Sequence, residues 1–454
     1  MDEAISWFRT ASPYINAHRG KKLVLALPGH WLRSDLLPTL THDLTLLHHL
    51  GLQLVVCFGL RDQMDDQLTR AEAASTIVSG RRVTDRQALS TMIQAAGVVR
   101  NDLEARLSMG LPNTPMAGAR LAVSSGNFVT AQPFGVHEGV DFQHTGAVRE
   151  VHREVISNLL DAGHLVLLPP LGYSLTGEVF NVTVTEVATA CAIALGADKL
   201  VLFVDTLPVD ETGSTLRQAS AGRIERQFFP DHEDGSAAAS DSKHTSEAGA
   251  PLPLNEELKQ VLPSAIKACR DGVERVHLLQ SDDPNALLRE LYTRDGSGTL
   301  ITAERWEHIR TASISDVGGI MELIAPLQAS GSLASRSREE LELDIEHFVV
   351  SERDGLIVSC AAMYLEEESS TAEIACIATH PQYRGEGRAD QLLTHLEQHA
   401  KRNHYSQARI LSTHTGHWFI ARGYTETHAS KLPPLRRSSY NQQRNSKIYC
   451  KALK

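Results

Sequence analysis

Two stretches of this 454-residue chain combine residue types that could do chemistry together. The first is Arg384-x-x-Gly387-x-Ala389, with Gly385 and Arg388 inside it and a helical pattern at residues 390–402 behind it. Small residues at a helix start leave backbone N–H groups bare, and the helix dipole adds partial positive charge there. Such a corner can bind a pyrophosphate, although a plain strand-turn-helix corner reads the same way. The dinucleotide pattern G-x-G-x-x-G fits less well, because an arginine leads the loop. The second is Glu373, the single carboxylate within the apolar run at residues 371–379. Strand alternation sets it on one face with Ala375 and Ile377. Half-burial favours the protonated form of a carboxylate, which suits a general base. A solubilising charge on an edge strand is the alternative.

The elements that must position these residues fall into two groups. Residues 316–328 and 337–348 read as helices, the second opened by Ser337 and Glu340 at capping-box spacing. Residues 356–364 and 371–379 read as strands. This α+β pattern occupies residues 303–454. Residues 1–302 differ: apolar runs at 23–27, 54–58, 120–124, 164–168, 200–204 and 275–279 alternate with helical segments. Fully apolar runs of that kind indicate a sheet covered on both faces, so the fold class is α/β plus α+β. Residues 209–253 lose the pattern and read as a mobile insertion.

Composition narrows the function. A formal charge of −11 and a pI near 6.0 argue against nucleic acid as partner. No run approaches the ~20 apolar residues of a membrane helix, and the start lacks a signal-peptide pattern. Six cysteines without a C-x-x-C pair suit reduced thiols and no zinc site, so a cytoplasmic location is expected. His395 and His399 share a helix face, but the order is wrong for H-E-x-x-H, and no metal is expected.

The Arg384 loop, followed by His417-Trp-Phe-Ile-Ala-Arg-Gly-Tyr424, resembles the acetyl-CoA pyrophosphate loop and later elements of the GNAT acetyltransferases. The ending from Leu432 through Tyr440 and Arg444-Asn-Ser446 to Tyr449 is similar to that of bacterial N-acetylglutamate synthases. Ser12-Pro-Tyr14 through Gly20, Val123–Phe128, Ala131-Gln-Pro133 and Arg294-Asp-Gly296 through Thr299 resemble that family's amino-acid-kinase-like domain. The resemblance thus runs the length of the chain. It implies a three-layer αβα kinase-like sandwich followed by a GNAT domain.

It also implies a reaction: acetyl transfer from acetyl-CoA to the α-amino group of L-glutamate, the first step of arginine biosynthesis. Glu373 would be the base. Ile377 and Ala378 would offer backbone N–H groups to the thioester. Arg384, Gly385, Gly387, Arg388 and Ala389 would hold the cofactor, and Arg336 and Arg444 the substrate carboxylates, with Cys376 nearby. Ser446 would be an acid or a hydrogen-bonding group. The family's effector L-arginine would meet Tyr14, His277, Glu290, Arg294 and Gly296. A ring-like homo-oligomer, possibly a hexamer, is expected.

A working kinase needs a lysine and glycines after its first strand; here Ala26 and Pro28 stand in those places. An N-acetylglutamate-kinase-type phosphotransferase, a non-catalytic arginine sensor, and a protein or antibiotic acetyltransferase remain the competing readings.

Overall fold

Alternate residues of the strand Lys22–Leu27 enter two different cores. Val24 and Ala26 join one, while Leu23, Leu25 and Leu27 join the other. A strand apolar on both faces must be covered on both faces. In the computed structural model, which describes residues 2–33, 35–70, 76–78, 80–109, 113–114, 117–118, 121–210, 212–229, 254–293, 296–303, 308–353, 356–367, 369–384, 387–413, 415–428, 432 and 446–453, the chain divides into Met1–Arg305 and Trp306–Lys454.

The first unit is built on β1 (Lys22–Leu27), β2 (Gln53–Phe58), β3 (Ala122–Ser124), β4 (His164–Leu168), β5 (Lys199–Val204), β6 (Gln218–Ser220), β7 (Arg275–Gln280) and β8 (Thr299–Thr302). Their order is β6-β8-β7-β5-β1-β2-β4-β3, parallel except between β7 and β8. Helices α1 (Asp2–His18), α2 (Leu37–His49), α3 (Arg61–Arg70), α4 (Arg86–Leu107) and α9 (Ala286–Tyr292) cover one face. Helices α5 (Arg153–Asp161), α6 (Val184–Leu195), α7 (Ala221–Phe228) and α8 (Glu256–Arg270) cover the other. The three-layer αβα sandwich follows directly.

The stretch expected as an insertion begins with regular structure. Strand β6 and helix α7 occupy part of it, because Leu216, Ala219, Ile224 and Phe228 are spaced to reach the core among polar neighbours. The rest of it, residues 230–253, lies outside the described residues.

In the second unit β9 (His308–Thr311), β10 (Phe348–Arg353), β11 (Leu356–Glu366), β12 (Thr371–Thr379), β13 (Gln407–Ser412), β14 (Thr425–Thr427) and β15 (Lys447–Ala452) form one sheet in the order β9-β10-β11-β12-β13-β15-β14. Only β12 and β13 pair in parallel. Helices α10 (Val317–Ala329) and α11 (Arg338–Leu343) cover one face, α12 (Arg388–Arg402) and α13 (Gly416–Ile420) the other.

The capping box at Ser337 and Glu340 is present. The helix it opens is shorter than the 337–348 expected. It ends at Asp344, whose carboxylate accepts from Tyr364 and Arg336, and Phe348 already starts β10.

Candidate active site

The parallel ladder of β12 and β13 pairs Thr371–Ile374 with Gln407–Ile410 and goes no further, although β12 runs to Thr379 and β13 to Ser412. The two strands therefore part after Ile374. One cause is visible in β12. Its pairing with β11 shifts by one residue between Ala375 and Ala378, and within that bulge Cys376 has φ +53°. A non-glycine residue in the left-handed region carries strain of about 1–3 kcal/mol, a feature that gathers at functional sites.

The bulge corrects one expectation. Glu373 and Ala375 lie opposite Ala372 and Ile374, as alternation requires, but Ile377 packs with Ala372 and Ile374 on the α12 face. Cys376 and Ala378 instead join the α10 and α11 face. A single extra residue breaks the period of two, so Ile377 is not on the face of Glu373.

Glu373 is 6% exposed and sits opposite Tyr364 of β11. This single carboxylate of the strand has a cationic partner. Arg409 of β13, 3% exposed, donates to Glu373 Oε2 from Nε at 3.1 Å and from Nη2 at 2.8 Å. Sequence reasoning did not find Arg409; its place opposite Glu373 is a consequence of pairing between strands 36 residues apart.

Arg336 lies on the same side of the sheet. It donates to the Tyr364 hydroxyl at 2.8 Å and to Asp344 Oδ2 at 3.2 Å, and its guanidinium stands 5.7 Å from the ring centroids of Phe348 and Tyr364. Burial pushes the Tyr364 phenol up to about 12, so it remains a hydroxyl that donates to Asp344 at 2.9 Å. Cys360 and the Arg336 charge hold the Cys376 thiol below its ordinary range, against the opposing effect of burial. Arg336, Tyr364 and Cys376 are thus one cluster.

The other side of the opening has a different character. Gly387, with φ +77°, caps α12, so Arg388 and Ala389 begin the helix. Arg384 is exposed and donates from Nε to the Thr379 carbonyl at 3.2 Å, tying the loop to the end of β12. Arg388 is 5% exposed; it donates to the Tyr383 carbonyl at 2.9 Å and lies 4.9 Å from the Tyr383 ring centroid. It shapes the loop from inside and does not present its charge outward. Ser446, buried, precedes β15, whose Lys447 pairs with Ser412 at the far end of β13. Gly385 and Arg444 lie outside the described residues. Among the described residues no group of three or more His, Cys, Asp or Glu side chains could hold a metal ion.

In the first unit, His277 and Glu290 meet at 2.7 Å. Glu290 Oε2 accepts from the backbone N–H of Ser297 at 2.6 Å and of Gly298 at 3.0 Å. Burial alone would raise the Glu290 carboxyl, but the His277 hydrogen bond and these N–H groups hold it down near about 2. Gly296 has φ +61°, and a Cβ there would stand 2.5 Å from Glu290. Tyr14 packs from α1 onto the core that includes Leu291 and Tyr292. Arg294 lies outside the described residues. His18, which the sequence did not single out, bonds the Leu291 carbonyl at 2.7 Å.

At the carboxyl end of β1, the place where a doubly wound sheet receives phosphates, the chain turns into a 3-10 helix at Gly29–Arg33. Trp31, 2% exposed, fills it: its ring lies 4.5 Å from Phe203, and Nε1 donates to the Ser281 carbonyl at 2.6 Å.

Residues 21–235 match the amino acid kinase family and residues 320–419 the acetyltransferase (GNAT) family. Fold and site together define a GNAT acetyltransferase joined to an amino-acid-kinase fold. Amino-acid acetyltransferases of Pseudomonas fluorescens strain SBW25 and Pseudomonas syringae pv. syringae are each 45% identical over 454 residues, 100% of both chains. The chain belongs to the amino-acid acetyltransferase family and is an acyltransferase. Two solved structures of N-acetylglutamate synthase from Neisseria gonorrhoeae are 34% identical and cover 99% of each chain. The one complexed with coenzyme A and L-arginine has a TM-score of 0.83. The one complexed with coenzyme A and N-acetyl-glutamate has 0.60.

Proposed function

We propose that the chain transfers the acetyl group of acetyl-CoA to the α-amino group of L-glutamate, with Glu373 as general base. The observation that carries this is the parting of β12 and β13 one residue beyond Glu373, with a capped helix N-terminus on the other side. Only a neutral amine attacks a thioester, so the ammonium must first lose a proton. Glu373 takes it. The nitrogen then bonds to the carbonyl carbon, and the oxygen gathers negative charge. Backbone N–H groups of the bulged segment, Ile377 and Ala378, stabilise that oxyanion. The carbon–sulfur bond breaks with its electron pair on sulfur, and the nitrogen's second proton passes to that thiolate through Ser446 or solvent.

The acceptor's two carboxylates call for bidentate cations. Arg336 supplies one by exchanging its Asp344 partner for the substrate, and Arg444 is assigned the second. The N–H groups from Gly385 to Ala389 hold the pyrophosphate, with Arg384 outside the loop and Arg388 bracing it. In the first unit Tyr14, His277, Glu290, Arg294 and Gly296 are assigned to L-arginine as effector. A cytoplasmic homo-oligomer, a hexamer by preference, completes the reading. No described helix is long and apolar enough to cross a membrane.

The test is coenzyme A release from acetyl-CoA by the purified chain over a panel of amino acids. Turnover confined to glutamate supports the assignment. Equal turnover with glutamine removes the two-carboxylate argument, equal turnover with aspartate removes the preference for glutamate, and no turnover with any amino acid ends the assignment.

A further inference from the structure

Glu373 and Arg409 face each other across the parallel ladder, one residue before it ends. The Arg409 fork donates from Nε and Nη2 to a single oxygen, Glu373 Oε2, and Nη2 also reaches Oε1 of Glu366 on β11. Two carboxylates therefore share one buried cation, with Glu373 the more deeply buried of the two. Apolar cross-strand pairs hold a sheet together at least as well as a buried ion pair, which must recover the desolvation of its charges. Here the buried cation is divided between two carboxylates, one of them partly exposed. That arrangement is unsuited to strand adhesion and well suited to holding a carboxylate that must accept a proton.

We propose that Arg409 is a positioning residue for acetyl transfer, holding the Glu373 carboxylate from the β13 side, with Glu366 moderating that hold. The inference rests on Glu373 being the base. Other groups lie near Glu373 among the described residues. On this side of the sheet β11 offers Tyr364 and Glu366, β12 itself Cys376, and β15 Cys450 opposite Arg409. Arg336 and Asp344 act through Tyr364. Helix α10 contributes the apolar Ile320, Leu323 and Ile324. Among the described residues Arg409 is a cation in direct contact with Glu373, and Glu366 is an anion that shares it.

Opposite charge favours the carboxylate and like charge favours the acid. Removing the cation must therefore move the acidic limb of the rate profile to higher pH. Removing Glu366 leaves Arg409 with one anion and must move it to lower pH. A purely structural ion pair would produce no such opposed displacement.

The experiment measures kcat and KM for glutamate and acetyl-CoA from about pH 5 to about pH 10. It uses the full chain and its Arg409→Lys, Arg409→Met, Glu366→Gln and Glu373→Gln variants. Arg409→Met is expected to raise the acidic limb by ~1 pH unit and Glu366→Gln to lower it. Arg409→Lys keeps the charge but loses the planar fork, so kcat falls ~10-fold with KM for acetyl-CoA unchanged. If Arg409→Met does not fold, the other two variants carry the test. An inactive Glu373→Gln beside a wild-type kcat in Arg409→Lys and an unmoved limb in Glu366→Gln overturns the role of Arg409 alone. Full activity in Glu373→Gln overturns the base assignment and this inference with it.

Discussion

Tyr364 accepts from Arg336 at 2.8 Å and donates to Asp344 at 2.9 Å, so one phenol fixes the guanidinium over the strand that carries Glu373. The relationship predicts a division of labour between binding and chemistry. Tyr364→Phe leaves the ring under Arg336 but removes the hydroxyl that orients it. KM for glutamate should rise ~10-fold while kcat changes little. Arg336→Lys, which loses bidentate geometry, should raise it further. Steady-state kinetics with glutamate varied at saturating acetyl-CoA check both. Unchanged KM in both variants would remove Arg336 from the acceptor site.

The donor side gives an orthogonal prediction. Arg384 is exposed and donates to the Thr379 carbonyl. Arg384→Ala should raise KM for acetyl-CoA ~10-fold at constant KM for glutamate, as loss of one charge-assisted phosphate contact implies. Arg388→Ala should act differently: its guanidinium is inside the loop against Tyr383, so thermal stability should fall along with cofactor affinity.

Cys376 tests the bulge. At φ +53°, a β-branched side chain is strained where a small one is tolerated. Cys376→Ala should melt near the wild type, and Cys376→Val should be destabilised by about 1–2 kcal/mol relative to it. Calorimetry of the two variants decides. Equal stability would mean the strand adopts ordinary extended geometry there.

His18 gives the first unit a pH dependence of known sign. Burial, followed by the Lys199 charge, pushes its imidazole from 6.5 down to about 4. Below pH 6.5 the unfolded chain takes up this proton before the folded one does, so stability is lost as pH falls from 6.5 toward 4. The full loss is about 3 kcal/mol for this group. His18→Gln, which can still bond the Leu291 carbonyl, should flatten the dependence of melting temperature on pH in that window. An unchanged slope would show that His18 is solvated.

Much of the candidate site is legible in the residues alone. Glycine spacing located the start of α12, a capping box located α11, and one carboxylate in an apolar run located Glu373. Each is a local signal. What escaped depends on contacts between distant segments. Arg409 comes to Glu373 through parallel strand pairing. Asp344 ends α11 because Tyr364 and Arg336 claim its carboxylate. The bulge at Cys376 moves Ile377 to the other face, and no pattern of residue types announces a single extra residue. Strand β6 and helix α7 hid in a polar stretch because few apolar positions suffice for an edge strand and a short helix.

The most direct test of the central claim is the initial rate of N-acetylglutamate formation by wild type and Glu373→Gln at saturating substrates. The account predicts a kcat loss of ~100-fold or more at neutral pH with both KM values within a few-fold, the signature of a lost base. It also predicts partial recovery of the variant as the pH rises and the free amine becomes abundant. A Glu373→Gln enzyme with wild-type kcat at neutral pH would contradict it.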